Sequence, residues 1–583
     1  MCDDPDPRIY FDALCRQARI LKAKGRGGRE VTIMASGLED ADEVLRGRSA
    51  GDMTIAADAF AARTIKLPTW AKDGFSDVVH DLFFAYLHGR LIAVHCDGSL
   101  AKAILGWIDR PPRPPLRRVD AGVLNEALLS GEAKGLWLRG THVRRSTKAD
   151  AKTLSGTDLG AALDPVQDAT YSMGSAKANI RTNAAFAALT GIVGVTPRRS
   201  RVWFRPTQSL ADFIDVCTDL LLALDAVIVA GNSNDRPFPW LATELHALQG
   251  VEHAFDLTWS TPQSLPTLQW TDEMEQAAET LERATITVNG RAGTPDFELE
   301  VGLDGRVAGR LGCTVTRLDK QTELHFGFRG TPTDAGHARE VLDALEQTEL
   351  LTVHFASGHA ITDSAIWTSQ VSDAPFPAWE WVDFAGYRVN REKTDVPLDL
   401  LHASIATGGD DSLFAWVVDQ FGSAGHLTCD DGANEVCDFV HLADDDTLSL
   451  IHVKAAGTDS PLRRPSAGKY EVVVGQATKN VRYLQSRTLD EALRTHFDRA
   501  TWLAGVRQPD RSLLLAALAA RDPAAGSAVV IVQPHVTVSA RQSARTALTG
   551  ADATRIRLLE TMLNAARGSM TAVGSELRVI GSS

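Results

Sequence analysis

Cysteine is scarce in this chain. There are seven in 583 residues, and no two are spaced as Cys-x-x-Cys. That spacing leaves no recognisable zinc ligand set or disulfide framework and fits a reduced compartment. Cys429 and Cys437 read as small core residues on neighbouring strands. No apolar run approaches the ~20 residues that a spanning helix needs. The opening MCDDPDPRIYFDALCRQ is acidic and polar, unlike a secretory leader. The phosphate-cradling GxxxxGK[ST] pattern is missing, which excludes an ATPase of that kind. Positive charge is also in deficit, with 60 Lys and Arg against 74 Asp and Glu and a formal net charge of −14. A generally basic coat for nucleic acid is excluded; a local basic groove is not. The expectation is a cytoplasmic protein that does not use a membrane. What is present is a globular composition, 44% hydrophobic and 23% charged, long enough for three or four domains.

Four regions follow from the pattern. Residues 1–109 read as an α/β module: a helix from Tyr10, strands at Glu30–Met34 and Arg90–His95, and a helix or long strand at Asp77–Leu87. His95 and Asp97, at a strand end before glycine, read as turn residues rather than metal ligands. The proline-dense 110–118 segment reads as a stiff linker. Residues 119–280 hold basic, hydroxyl-rich loops and the TPRRSRVWFRP stretch. There Arg198, Arg199 and Arg201 are candidate phosphate contacts, while Trp203 and Phe204 suit either base stacking or a core. A strongly apolar helix, Leu210 to Leu224, is expected to run into a strand at Asp225–Ala230. Residues 281–400 alternate as a β-rich region with one helix near Asp334–Gln347. His354, His359 and Asp363 match no metal spacing there. Trp379, Trp381 and Phe384 read as inter-domain core.

Residues 401–583 contain the most informative stretch. A helix at Ser412–Phe421 precedes strands at His426–Cys429, Glu435–Leu442 and Leu448–Lys454, and a second helix spans about Ser466–Ser486. Asp419 on the first helix reads as a solvent-facing acid. Asp438, His452 and Lys454 are polar where buried strands are not, and His452 and Lys454, two apart, share a face. Buried charges of this kind need partners or a metal. An acid, a lysine and a divalent cation on one sheet face are what phosphodiester hydrolysis requires.

Asp438, thirteen intervening residues, His452-Val453-Lys454 and a downstream helix carrying Gln476 resemble the PD-(D/E)XK nuclease superfamily, the restriction-endonuclease-like fold. The resemblance covers only the C-terminal region. It implies an αβββαβ domain, preceded here by α+β and β-rich domains, with Ser527–Pro534 as fourth strand. It implies Asp438 and the Val453 carbonyl as ligands of Mg²⁺ or Mn²⁺, Lys454 as catalytic lysine and Gln476 as a supporting contact. His452 stands where the family prefers a carboxylate, and imidazole suits Mg²⁺ poorly. Glu435, Asp430 or Asp431 can supply the missing charge, although strict alternation puts Glu435 on the opposite face unless a bulge or its place at the strand start brings it round. Arg463 and Arg464 in the following loop and Lys479 on the helix are candidate phosphate contacts.

The function expected is a metal-dependent nuclease or endonuclease. DNA is the substrate by family habit, and a protein partner in an anti-phage or restriction-type defence system enters by analogy. The alternative is an inactive nuclease-like domain that binds nucleic acid or serves as a scaffold subunit. An unrelated enzyme would need His95, His354 or His359 to meet in space.

Overall fold

The computed structural model describes residues 6–24, 30–34, 55–66, 75–109, 114–144, 148–180, 188–266, 270–318, 321–369, 374–432, 435–484, 486–547 and 549–583. The molecule is mixed α/β, with several sheets. It divides into two compact units: Met1–Leu163 with Thr170–Ser369, and Asp164–Ala169 with Gln370–Ser583. Among the described residues no helix is long and apolar enough to cross a membrane.

Among the described residues the first unit contains four sheets. In the N-terminal one, Ile55–Lys66 pairs along its length with the antiparallel strand Asp77–His88. Phe83, Ala85 and Leu87 join Phe11, Leu14, Leu100 and Ile104 of two helices, Pro7–Ala23 and Gly98–Asp109. Phe84 and Tyr86 face the other way, into a core built on the helix Leu210–Ala230. A strand buried on both faces reads as a continuous apolar run, which is why FFAYL leaves helix and strand undecided. Of the 110–118 segment, residues 110–113 lie outside the described residues, and Leu116 is buried in the N-terminal core.

The strand expected at Asp225–Ala230 is instead the last part of the Leu210–Ala230 helix. Ser209 accepts the Asp212 N–H at its start and Gly231 closes it at φ 69°. Val227 and Ile228 pack against the core already begun by Ile214 and Leu221, so burial outweighs β-branched preference. The boundary expected near 280 cuts through a sheet. Thr243–Leu245 and Ala254–Trp259 form its edges around Leu351–Phe355, His359–Thr362 and Ala365–Thr368.

The main part of the second unit begins at Gln370 rather than 401, because Trp379–Val382 is the edge strand of its eight-stranded sheet. Trp379 and Trp381 stack on each other there at 4.9 Å, and Phe384 enters the core. At the sheet centre, His426–Cys429, Phe439–Leu442 and Leu448–Val453 form an antiparallel meander, and Ser527–Thr537 lies parallel to the last of these. The helix Leu413–Phe421, capped by Ser412, packs Phe414, Trp416 and Val417 against Ile451, Val453, Val530 and Val532. On the opposite face Val473, Val474 and Ala477 of helix Glu471–Asn480 meet Val529 and Ile531. Pro534 sits within Ser527–Thr537 where regular pairing to Glu576–Ser582 lapses between Val532 and Thr537, the kind of gap that tolerates a missing N–H.

Candidate metal centre

Phe439–Leu442 pairs with Leu448–Val453 only from Leu442 opposite Leu448 to Phe439 opposite Ile451. Leu448–Val453 continues to Val453 along Ser527–Thr537. The two strands therefore part just before Phe439. At that fork Asp438 Oδ2 accepts the Val453 N–H at 2.7 Å, replacing a ladder carbonyl.

The expected strand start at Glu435 is a loop, since only Phe439–Leu442 pairs. Asp430 N–H donates to the Asp438 carbonyl at 2.8 Å, Val436 N–H to Asp430 Oδ2 at 2.8 Å, and Gly432 N–H to Glu435 Oε2 at 2.9 Å. Asn480 Nδ2, from the helix behind, donates to the Val436 carbonyl at 2.6 Å. Freed from strand alternation, Glu435 turns to the side of Asp438. One oxygen each of Asp431, Glu435 and Asp438 lies within 4.8 Å of the others.

One lysine borders these carboxylates and a second pairs with the neighbouring Glu392, whose charge acts on Asp438. Lys454 Nζ is 2.7 Å from Glu392 Oε2, and Lys393 Nζ donates to both oxygens of Asp431 at 2.9 Å. Glu392 is fixed at the start of the Leu413–Phe421 helix, where its carbonyl accepts the Phe414 N–H at 3.0 Å. Burial raises the Asp438 carboxyl well above its ordinary range. The Val453 N–H opposes this, and the charges of Glu435, Asp431 and Glu392 add to it. Burial also raises Glu435, against the Gly432 N–H. At Lys393 burial works downward, but Asp431, then Glu392 and Asp438, outweigh it and raise the ammonium. The negative charge at the fork is thus under-compensated by the side chains present. The all-oxygen donor set fits a hard divalent cation such as Mg²⁺ or Mn²⁺.

His452 is not brought to this group. It is 2% exposed and lies opposite Ile531 in the sheet. Burial, with Lys479 second, lowers its imidazole to about 4, and its buried Nε2 has no hydrogen-bond partner. Lys454 lies one residue beyond the strand end, so its ammonium is released from the alternation that governs His452. Val453 gives the site its N–H. Gln476 is half-buried on its helix, and the contact from that helix to the acidic loop is made by Asn480. Asp430 is engaged by Arg499 at 3.1 Å and Arg511 at 2.8 Å and is no free ligand.

The basic candidates divide. Arg463 is buried, its guanidinium donating to the carbonyls of Asp459, Ser460, Pro534 and His535, a framework role instead of a phosphate contact. Arg464 pairs with Asp552 at 3.0 Å, and Lys479 is exposed. In the first unit Arg198 pairs with Glu244 and Arg199 with Asp363 at 3.3 Å. Arg201 lies over Trp203 at 5.8 Å. The histidines stay apart in their roles. His95 packs edge-on to Phe213, His354 bonds Thr258, His359 bonds Ser357, and none enters a metal-type grouping among the described residues.

Glu392 and Lys393 are the residues that sequence reasoning missed. They belong to an irregular segment whose only signal would have been its contact with the following helix. Compared with protein-family models, curated proteins and solved structures, the chain matches none.

Proposed function

We propose that the second unit is a divalent-metal-dependent nuclease acting on phosphodiester bonds, with DNA the substrate class its resemblance implies. The observation that carries this reading is the convergence of Asp431, Glu435 and Asp438 within 4.8 Å where two strands part. With the inserted helix Ser486–Leu493, hairpin Thr501–Gln508 and helix Ser512–Ala520 set aside, the order of helix, antiparallel three-strand meander, helix and parallel strand is also the order that the PD-(D/E)XK resemblance implies. Asp431, Glu435 and Asp438 hold the cation. Mg²⁺ or Mn²⁺, when bound, polarises a phosphoryl oxygen and acidifies water. Lys454 places an ammonium for the negative charge that develops on the phosphoryl oxygens, and Glu392 orients that ammonium. Lys393 keeps Asp431 aligned through two hydrogen bonds.

A second reading, a nuclease-like unit that binds without cutting, draws on the net charge of −14 and on the engagement of Lys454 by Glu392. Supercoiled plasmid incubated with the full chain in Mg²⁺, then Mn²⁺, separates the two. Cutting that stops in EDTA and falls by about 10²-fold or more in Lys454→Ala supports the nuclease. Binding of the plasmid without cutting in either ion supports the second reading. Absence of both cutting and calorimetric metal binding rejects the site altogether.

A further inference from the structure

In the first unit, a five-stranded antiparallel sheet runs in the order Ala151–Ser155, Ala133–Gly140, Tyr171–Ile180, Gly191–Thr196, Arg201–Trp203. One face is closed: Leu136, Leu138, Ala176, Val193 and Val195 are buried in apolar clusters. The other face is different in kind. Register aligns Gly135, Lys177, Gly194 and Trp203 in one row across the strands, and Trp137 with Ser175 in the next, followed by Thr196 opposite Arg201. Trp137, Lys177, Arg201 and Trp203 are all partly exposed on it.

The glycines of this face make room for rings. A methyl group at Gly194 would run into the Trp203 indole, which lies across that backbone. The Trp203 ring meets Trp137 at 6.3 Å and 68°. Each indole carries its own cation: Lys177 Nζ lies 5.5 Å from the Trp137 ring and Arg201 lies 5.8 Å from Trp203. The face ends in a small cleft of about 20 Å³ lined by Arg139, Ser175, Thr196, Arg199, Asp363 and Trp367, among others. Arg198 stacks over Trp367 at 5.1 Å.

We propose that this sheet face binds single-stranded nucleic acid, with bases stacking on Trp137 and Trp203 and the phosphates meeting Lys177 and Arg201. The chemistry selects that occupant. Alternating cations and aromatic rings match a chain that alternates phosphates with flat bases. A duplex keeps its bases stacked inside and offers these rings nothing to stack on. An acidic peptide would use the cations but leave the indoles idle. Phe204, the neighbour of Trp203, packs into the helical core near Phe213 at 6.0 Å, so the aromatic pair Trp203-Phe204 divides between the two roles.

The test uses the full chain in EDTA, in the Lys454→Ala background, so that cleavage plays no part and the nuclease reading stands or falls separately. Fluorescence anisotropy of labelled oligo-dT and oligo-U, about twelve nucleotides long, is titrated with protein. Trp203→Ala and Trp137→Ala should each weaken binding about tenfold, and Trp203→Phe should retain most of it. Lys177→Gln, a surface change that leaves the rings in place, should reduce the slope of log K against log salt by about 0.7. A duplex of the same length should bind at least about tenfold more weakly. The proposal is overturned if neither oligonucleotide binds, if duplex binds as well as single strand, if Lys177→Gln and Trp203→Phe both match Trp203→Ala, or if polyglutamate binds where oligonucleotide does not.

Discussion

Asp430 and Asp438 are both buried, stand on one short loop and share a backbone hydrogen bond, yet they are treated in opposite ways. Asp430 has two guanidinium partners, Arg499 and Arg511, and Arg511 is itself fully buried, donating also to the carbonyls of Cys429 and Leu493. Asp438 has one backbone N–H and three carboxylate neighbours. The first arrangement satisfies its charge internally and holds the loop. The second leaves negative potential unspent at the fork between strands. Neutralisation by arginine marks scaffold here, and its absence at Asp438 is what the proposed metal site rests on, since a cation from outside would complete the charge balance there.

The contrast is broken most forcefully from the scaffold side. Arg511→Met leaves Asp430 short of a buried partner and should cost about 3–5 kcal/mol in urea unfolding. A loss under 1 kcal/mol would mean that Arg499 alone suffices. Next is Asn480→Ala, which strips the Val436 carbonyl of its donor and should cost about 1–3 kcal/mol while also weakening metal binding. Unchanged metal affinity would separate the helix from the site.

The smallest effect on stability is expected at Asp438, and its sign is the informative part. A carboxyl whose folded pKa is raised binds protons more readily folded than unfolded. Its contribution is fully present below the ordinary carboxylate pKa and is lost as pH rises through the raised value. Without metal, Asp438→Asn should therefore be more stable than the native chain at neutral pH, and the gap should close on acidification. Mg²⁺ should stabilise the native chain and not the variant. Thermal melts from pH 4 to 8, with and without the ion, check both statements.

Much of the second unit was legible because its strands are short, bounded by turns, and buried in ways that leave Asp438 and Lys454 conspicuous. The central helices and the Ser527–Thr537 strand fall where periodicity puts them. His452 misled because strict alternation was carried one residue too far. The strand stops at Val453, and Lys454 bends away to Glu392. Glu435 escaped the same rule in the other direction, since loop hydrogen bonds place it and no periodic pattern encodes them. Glu392 and Lys393 were invisible for a similar reason: their position depends on where a distant helix begins. The Leu210–Ala230 helix exposes a different limit, because the VIV run near its end satisfies β preference locally and helical burial globally.

The Asp77–His88 strand carries a practical consequence. Phe83, Ala85 and Leu87 are covered by helices from the first 109 residues, whereas Phe84 and Tyr86 are covered by the helix beginning at Leu210, whose Thr218 hydroxyl lies 3.0 Å from that of Tyr86. An excised fragment ending in the proline-rich segment would carry half of a hydrophobic sandwich bare to water. Expression boundaries drawn at that segment divide a folding unit, because the first unit runs on to Ser369.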